Sequence, residues 1–399
     1  MNFVFNVLYC SIFVLQIDKH VLEKIKFMKT KEMSISGIKK IAIIMAGGTG
    51  DRLWPRSVEA LPKQFCHFIG SGTMIQNTYN RLKTLFADDA IYIVTNKSLA
   101  GIVNEQIPAL PPENLIIEPF GKNTAPCLAL AATLLKEKIT DDTVILAIPS
   151  DHYIGNVGEY IESLETAICC AFEKKGIVTI GISPTRPETG FGYIQIKDEK
   201  HDLGDMYGLG VRYSSAFAEK PDIATAKRFI ESGDFLWNSG IFVWRVDTFW
   251  DSFKKYLPDH TRLFSLIEKN IGKSYYERIL EETYRQLQAV SVDYAILEKA
   301  DNVFVVKSNF IWSDLGNWDE LFKLKMKDAR NNFIEGNIIP VNIKNCFVSS
   351  KDKVIGIVGV ENLFVIEDEN AIIICKKDKS DDVKDVVDFM KRKHISQYL

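Results

Sequence analysis

Chemistry first gathers at AGGTGDRLWP, which begins at Ala46, with Lys63 eight residues beyond its end. Gly47, Gly48 and Gly50 follow an apolar run, and backbone amides freed of a Cβ approach a phosphate closely at such a turn. Arg52 and Lys63 bring two cations to the same mouth, one able to fork onto two oxygens and the other a point charge. Either cation alone would be explained as a surface ion-pair partner, and the glycines beside them argue against that. No Lys-Ser/Thr pair follows the glycines, so the string is not a P-loop, and the G-x-G-x-x-G spacing of a dinucleotide site is absent. Asp151 directly follows the apolar run TVILAIPS, and Asp314 lies in a loop after another strand-like run. Two carboxylates from such distant positions suit Mg²⁺, which takes few protein ligands and completes its shell with phosphate and water oxygens. Singly, each aspartate reads as a helix cap or turn former. His152 reads as a hydrogen-bonding neighbour of Asp151 rather than a base.

These residues need a scaffold that brings their loops to one edge. Continuous apolar runs at 40–45, 90–95, 114–118, 143–149 and 176–182 have the pattern of strands buried on both faces. Helical patterns at 74–86, 126–137 and 160–174 separate them, which predicts βαβ units. The fold class is therefore α/β, a Rossmann-like mixed but mostly parallel sheet whose strand ends carry the ligands. From Phe191 the pattern loosens into aromatic, Gly-rich strand segments, with a helix predicted over 223–232 between them and a last strand over 303–307. Beyond Asn331, short β-rich runs recur at near-regular spacing without helices, which predicts a small β-solenoid or meander closed by an amphipathic helix over 381–393.

The string GGTGDRLWP with its downstream Pro62-Lys63-Gln64-Phe65 resembles the signature of the sugar-nucleotide pyrophosphorylases, in the form carried by mannose-1-phosphate guanylyltransferases. EPFGKNTAPCLALAA (118–132), IPSDHYI (148–154), TGFGYIQ (189–195), FAEKPD (217–222), WNSGIFVW (237–244) and WSDLGNWDEL (312–321) match the family's motifs in the family's order. The resemblance implies a GT-A-like nucleotidyltransferase fold and the reaction of GTP with mannose 1-phosphate, giving GDP-mannose and pyrophosphate. It implies a nucleotidyltransferase domain over 38–330 and a small β-helix-like domain over 331–399, and, without the cupin-like domain that longer bifunctional relatives carry, it does not imply a second, isomerase activity. Residues 1–37 have no counterpart in it and are expected to be dispensable. Gly121 and Cys127 depart from the family's usual residues.

Site roles follow. Attack of a sugar phosphate oxygen on the α-phosphorus needs an in-line path and neutralisation of concentrated charge, but no protein nucleophile. Arg52, Lys63, Asp151 and Asp314 are the expected catalytic set, with Asp151 and Asp314 the Mg²⁺ ligands. Ala46, Gly47, Gly48, Gly50, Glu118, Asn123 and Thr124 are expected around the nucleotide. Gly192, Glu219, Lys220 and Asn238 are expected around the sugar phosphate: an acceptor for hydroxyls, a cation for the phosphate, an amide that can do both, and a close backbone approach. The aromatics at 237, 242 and 244 read as core. A pyrophosphorylase for UTP or dTTP shares most of this set, so only Gln64-Phe65 and the NTAP loop favour GTP. A glycosyltransferase would carry a D-x-D after a strand, and none is present; a silent regulatory subunit would lack one of the four charged residues.

Composition sets outer bounds. Forty-six per cent hydrophobic and 25% charged residues over 399 positions describe a folded chain with a sizeable core. The formal charge of −3 leaves no basic field to collect nucleic acid. Seven cysteines lie scattered without a C-x-x-C pair, which suits a reducing cytoplasm. No run reaches the ~18 residues of a membrane span. Residues 1–17 are apolar but have neither a positive n-region nor a cleavage site. The β-rich C-terminal part offers a homodimer surface.

Overall fold

Alternate residues of β1 (Lys40–Met45) feed opposite faces of one sheet: Ala42 and Ile44 enter one apolar cluster, Ile41 and Ile43 another. That two-sided burial is why the run has no polar alternation. The computed structural model describes residue 35 and residues 37–48, 50–200 and 202–399. The apolar segment 1–17 lies outside the described residues.

The remaining strands are β2 (Ile91–Asn96), β3 (Leu115–Glu118), β4 (Val144–Pro149), β5 (Tyr153–Ile154), β6 (Ile177–Ile182), β7 (Gly192–Lys197), β8 (Val211–Glu219), β9 (Phe235–Arg245), β10 (Val303–Ser308), β11 (Trp312–Ser313), β12 (Phe333–Glu335), β13 (Ile338–Val341), β14 (Phe347–Ser349), β15 (Ile355–Val358), β16 (Leu363–Asp368) and β17 (Ala371–Lys376). Nine of them form one sheet in the order β3-β2-β1-β4-β9-β6-β10-β8-β7. β3, β2, β1 and β4 run parallel, as do β6 and β10. The sheet is less parallel than the sequence suggests, because β9 is antiparallel to both β4 and β6, and β7 and β8 pair antiparallel. No α-helix separates β7 from β8, and without a crossover the chain returns antiparallel there. Since β9 is antiparallel to both neighbours, β6 and β10 share the direction of β1 and β4. The carboxyl ends of all the parallel strands therefore lie along one edge, where open α/β sheets bind ligands.

Among the described residues the α-helices are α1 (Met74–Leu82), α2 (Ala100–Gln106), α3 (Thr124–Leu134), α4 (Val157–Lys174), α5 (Ile223–Ser232), α6 (Val246–Tyr256), α7 (Pro258–Glu268), α8 (Tyr276–Gln286), α9 (Trp318–Leu324) and α10 (Val383–Arg392). Apolar residues of α1 and α4 pack on one face of the sheet and those of α3, α6, α7 and α8 on the other. A reciprocal cap starts α1: the Thr73 hydroxyl accepts from Gln76 N, and Gln76 Oε1 accepts from Thr73 N.

After Asn331 the chain coils. β12, β14 and β16 stack in parallel so that Phe333, Phe347 and Phe364 lie in register, with ring centroids 5.0 and 5.7 Å apart. β13 and β15 form the second wall. Asn331, Asn345 and Asn362 occupy the left-handed region at successive corners and hydrogen-bond to one another as a ladder. This β-helix is the solenoid expected from the spacing, and α10 packs beside it.

Candidate active site

The glycine loop is held from beneath by a side chain whose role is invisible in the local string. Gln64, buried, donates from Nε2 to the carbonyls of Ala46 (3.1 Å) and Gly48 (3.0 Å), and Thr95 donates to Ala46 O at 3.0 Å. Gln64 is thus a fixture of the loop. Gly50 sits at φ +70°, where a Cβ would stand 2.4 Å from Lys63 Cβ. Glycine here permits both the turn and the close approach of Lys63.

Lys63 is buried, and its ammonium donates to Asp151 Oδ2 at 2.7 Å and to the backbone carbonyl of Asp314. Three residues separated by 88 and 251 positions are thereby brought to one point at the carboxyl edge. Burial opposes ionisation of Asp151, but Lys63 and then His152 outweigh it, and the carboxyl titrates below its usual range. Asp314 goes the other way, pushed up to about 6 by burial and by the Asp151 and Glu320 carboxylates, with Lys63 giving only partial relief. One ammonium thus faces two carboxylates, and a negative charge is left without compensation. Among the described residues, no group of three or more His, Cys, Asp and Glu side chains forms a closed cage. Two hard oxygen donors with surplus charge fit a divalent cation such as Mg²⁺, which keeps positions for phosphate and water. His152 accepts a hydrogen bond at Nδ1 from Trp312 Nε1 (3.2 Å), and burial pushes it down to about 4. It is a neutral, structural ring.

Arg52 does not join this cluster. Its side chain is half exposed, and Nε lies 3.6 Å from Asp381 Oδ1 just before α10. On the other side of the loop, Glu118 at the end of β3 is buried near Gly47, whose added Cβ would lie 3.9 Å from Glu118 Oε2. Burial pushes Glu118 up to about 7 although Tyr284, at 3.2 Å, and Cys127 hydrogen-bond to it. Asn123, at φ +72°, caps α3 through Thr124 N (2.8 Å), and the Thr124 hydroxyl accepts from Val292 N (2.9 Å).

A second cluster forms where β7, β8 and β9 meet. A Cβ on Gly192 would fall 2.6 Å from Glu219 Oε2 and 3.4 Å from Asn238 Cβ, so glycine leaves the Glu219 carboxylate its place between these strands. Lys220, at φ +48°, pairs with Glu219 at 3.0 Å and remains largely exposed. Asn238 accepts from Thr179 Oγ1 (3.1 Å) and Gly240 N (3.3 Å) and donates to Asp293 Oδ1 (2.7 Å). Asp293 escaped the sequence reading. It is pushed up to about 6 by burial and by the Glu219 charge. Its one sequence signal was an acid in the apolar string SVDYAILE, which needs a partner when buried. Trp237, Phe242 and Trp244 are core, each nearly fully buried.

Comparison with known proteins extends this picture. A family model described as nucleotidyl transferase matches residues 41–331, and one described as the MannoseP isomerase/GMP-like β-helix domain matches residues 336–390. A mannose-1-phosphate guanylyltransferase from Salmonella muenchen is 35% identical over 367 residues, covering 90% of this chain and 75% of the relative. One from Klebsiella pneumoniae is 35% identical over 365 residues with the same coverage of both chains, 90% and 75%. A crystal structure from Thermus thermophilus, described as mannose-1-phosphate geranyltransferase, superimposes with a TM-score of 0.79 at 30% identity, covering 89% of this chain and all of that one.

Proposed function

The chain belongs to the nucleotidyl transferase family, among the mannose-1-phosphate guanylyltransferases, and from that premise we propose how its residues divide the reaction. The enzyme transfers GMP from GTP to mannose 1-phosphate and releases pyrophosphate. The observation that carries the assignment of roles is Lys63, clamped between Asp151 and the Asp314 backbone beside the glycine loop. The amides of 46–50 cradle the triphosphate. Lys63 supplies a fixed charge there, and Arg52, tied only loosely to Asp381, swings in as a second. Asp151 and Asp314 would hold Mg²⁺, which would supply positive charge against the phosphate oxygens. Glu118, Asn123 and Thr124 face the base and ribose.

On the acceptor side Lys220 binds the phosphate of mannose 1-phosphate, and Glu219 accepts from sugar hydroxyls. Asn238 is fixed by three hydrogen bonds and offers its remaining N–H to the sugar. Gly192 gives the sugar access to backbone. No side chain forms a covalent intermediate; the mannose 1-phosphate oxygen attacks directly, and positioning plus charge neutralisation supply the acceleration. The cytoplasm is the proposed compartment, supported by the free thiols among the described residues, and exposed Ile339, Val341 and Val358 on the β-helix support a homodimer surface. Pyrophosphate release across a panel of nucleotides and sugar 1-phosphates tests the reading: GTP with mannose 1-phosphate is the expected best pair, and preference for UTP with glucose 1-phosphate would refute it.

A further inference from the structure

We infer that Arg56 is a positioning residue for the transfer, latching the loop that carries Arg52 onto the β-helix and, through Trp318, tying in the segment that carries Asp314. Arg56 lies four residues after Arg52, yet it turns away from the cleft. Its Nε meets Asp368 Oδ2 at 3.1 Å, Nη2 donates to Ser349 Oγ at 3.1 Å, and Nη1 lies 3.8 Å from Glu335 Oε2. The three acceptors come from three coils: Glu335 from β12, Ser349 from β14, Asp368 from β16. Ser349 also donates to Glu335 at 2.9 Å, so the acceptors form one network. The side chains of Arg56 and Asp368 are only 16% and 15% exposed, which makes this a well-shielded ion pair rather than a rim contact. A planar guanidinium suits the task, because its fork addresses several acceptors at fixed angles and a lysine cannot.

The latch reaches both catalytic segments. The Arg56 guanidinium stacks over the Trp318 ring at 5.8 Å, and Trp318 donates from Nε1 to the Trp54 carbonyl at 3.0 Å. Trp318 begins α9, four residues after Asp314, and packs edge-on against Phe347 of β14 at 5.7 Å. The Arg56 carbonyl accepts from the Cys66 thiol at 3.2 Å, three residues from Lys63. Around this centre the C-terminal end adds further ties: Trp54 Nε1 to the Tyr398 carbonyl at 2.8 Å, Lys391 to Asp51 at 3.2 Å, and Asn317 Nδ2 to Asp381 Oδ1 at 2.9 Å. The β-helix thus forms the back wall against which Arg52, Lys63 and Asp314 are registered. Removing the latch leaves every catalytic side chain in place but loosens their mutual distances, which lowers the rate of an in-line transfer more than it weakens acceptor binding.

The latch rests on the roles proposed above for Arg52, Lys63 and Asp314. Its test is steady-state GDP-mannose formation by the full chain and its Arg56→Met, Arg56→Lys and Asp368→Asn variants, with thermal unfolding of each and assays kept below every transition. Arg56→Met is expected to lower kcat about tenfold while the KM for mannose 1-phosphate stays within about twofold. Arg56→Lys should recover only part of kcat, and adding Asp368→Asn to Arg56→Met should cost little beyond Arg56→Met alone, because Asp368 acts on the cleft through Arg56. A lowered Tm with wild-type kcat in Arg56→Met would make Arg56 merely structural and overturn the inference. If Arg56→Met does not fold, Asp368→Asn carries the same readout, and an unchanged kcat there overturns it equally. A wild-type chain inactive with GTP and mannose 1-phosphate would instead overturn the reading of the site, and the latch with it.

Discussion

Lys63 reaches the cleft only because position 50 has no side chain. A Cβ at Gly50 would stand 2.4 Å from Lys63 Cβ and 2.9 Å from Ser57 Oγ, and the backbone is at φ +70°. Gly50→Ala must therefore displace Lys63 as well as strain the turn, and kcat should fall about a hundredfold, with stability lower by about 1–3 kcal/mol; wild-type turnover in this variant would show that Lys63 is not tied to the loop. Asp151 and Asp314 both address Lys63 and share the uncompensated charge described above, so they should behave as one unit. Asp151→Asn and Asp314→Asn should each cut kcat by orders of magnitude, with the double variant little worse than the poorer single one. Losses that multiply independently, or turnover that survives excess chelator, would refute a shared metal. Lys220→Ala removes a charged contact of about 1.5–3 kcal/mol, so the KM for mannose 1-phosphate should rise roughly ten- to a hundredfold. An unchanged KM and kcat would move Lys220 off the site. Gly50, Lys63 and both aspartates were legible because they are charged or conformationally special residues inside local strings. Gln64, Asp293 and Tyr284 were not, because their roles are defined by partners 16, 55 and 166 residues away.

At the level of elements, apolar runs revealed the strands but not the direction of β9. WNSGIFVW reads the same in either sense, and only the missing α-helix between β7 and β8 could have betrayed the reversal, which the crossover through α5 then carries into β9. The β-helix was legible from the spacing of short strands, whereas the asparagine corners that index its coils pass locally for ordinary turn residues. One turn of the β-helix depends on a single buried acid. Glu367, with no side-chain exposure, accepts from Ser350 Oγ (2.8 Å), from the amides of Lys351 (2.8 Å) and Asp352 (3.2 Å), and from Lys353 Nζ (2.7 Å). Burial opposes its ionisation, but the Lys353 and Ser350 contacts and the backbone amides prevail and bring it from the usual 4.5 down to about 2. A carboxyl depressed in the folded state stabilises above its unfolded pKa and loses that contribution as pH falls through the folded one. Glu367→Gln should therefore lower Tm clearly at pH 7, and the gap from wild type should close between about pH 4.5 and 2. A gap that is constant across that range would mean that the charge of Glu367 contributes nothing.

Across the whole molecule, three apolar clusters account for how one chain holds a site contributed by segments far apart in sequence. Two lie on opposite faces of the large sheet, and the third joins Leu53, Trp54 and Phe68 to Leu315 and Trp318 and on to Phe347, Phe364 and Val387. The third cluster makes the β-helix continuous with the catalytic loops, a connection that no stretch of sequence announces because each member is an ordinary core residue in its own segment. The N-terminal limit of this packing is also sharper in the structure than in the sequence. The apolar pattern starts at Ile38, but Ile35 is as buried as Ile38, each only 6% exposed, and both enter the cluster that holds Ala42 and Ile44. The Ile35 carbonyl accepts from Ile38 N at 3.1 Å and from Lys40 Nζ at 3.4 Å, which anchors the entry to β1. A chain begun at Met33 keeps these contacts and should match the full chain in kcat and in Tm. Ile35→Ala in that shortened chain should cost about 2–5 kcal/mol, the range for emptying a buried isoleucine site. Loss of folding or turnover on starting at Met33 would give the preceding segment a part in the enzyme. An Ile35→Ala variant as stable as its parent would return the limit of the fold to Ile38.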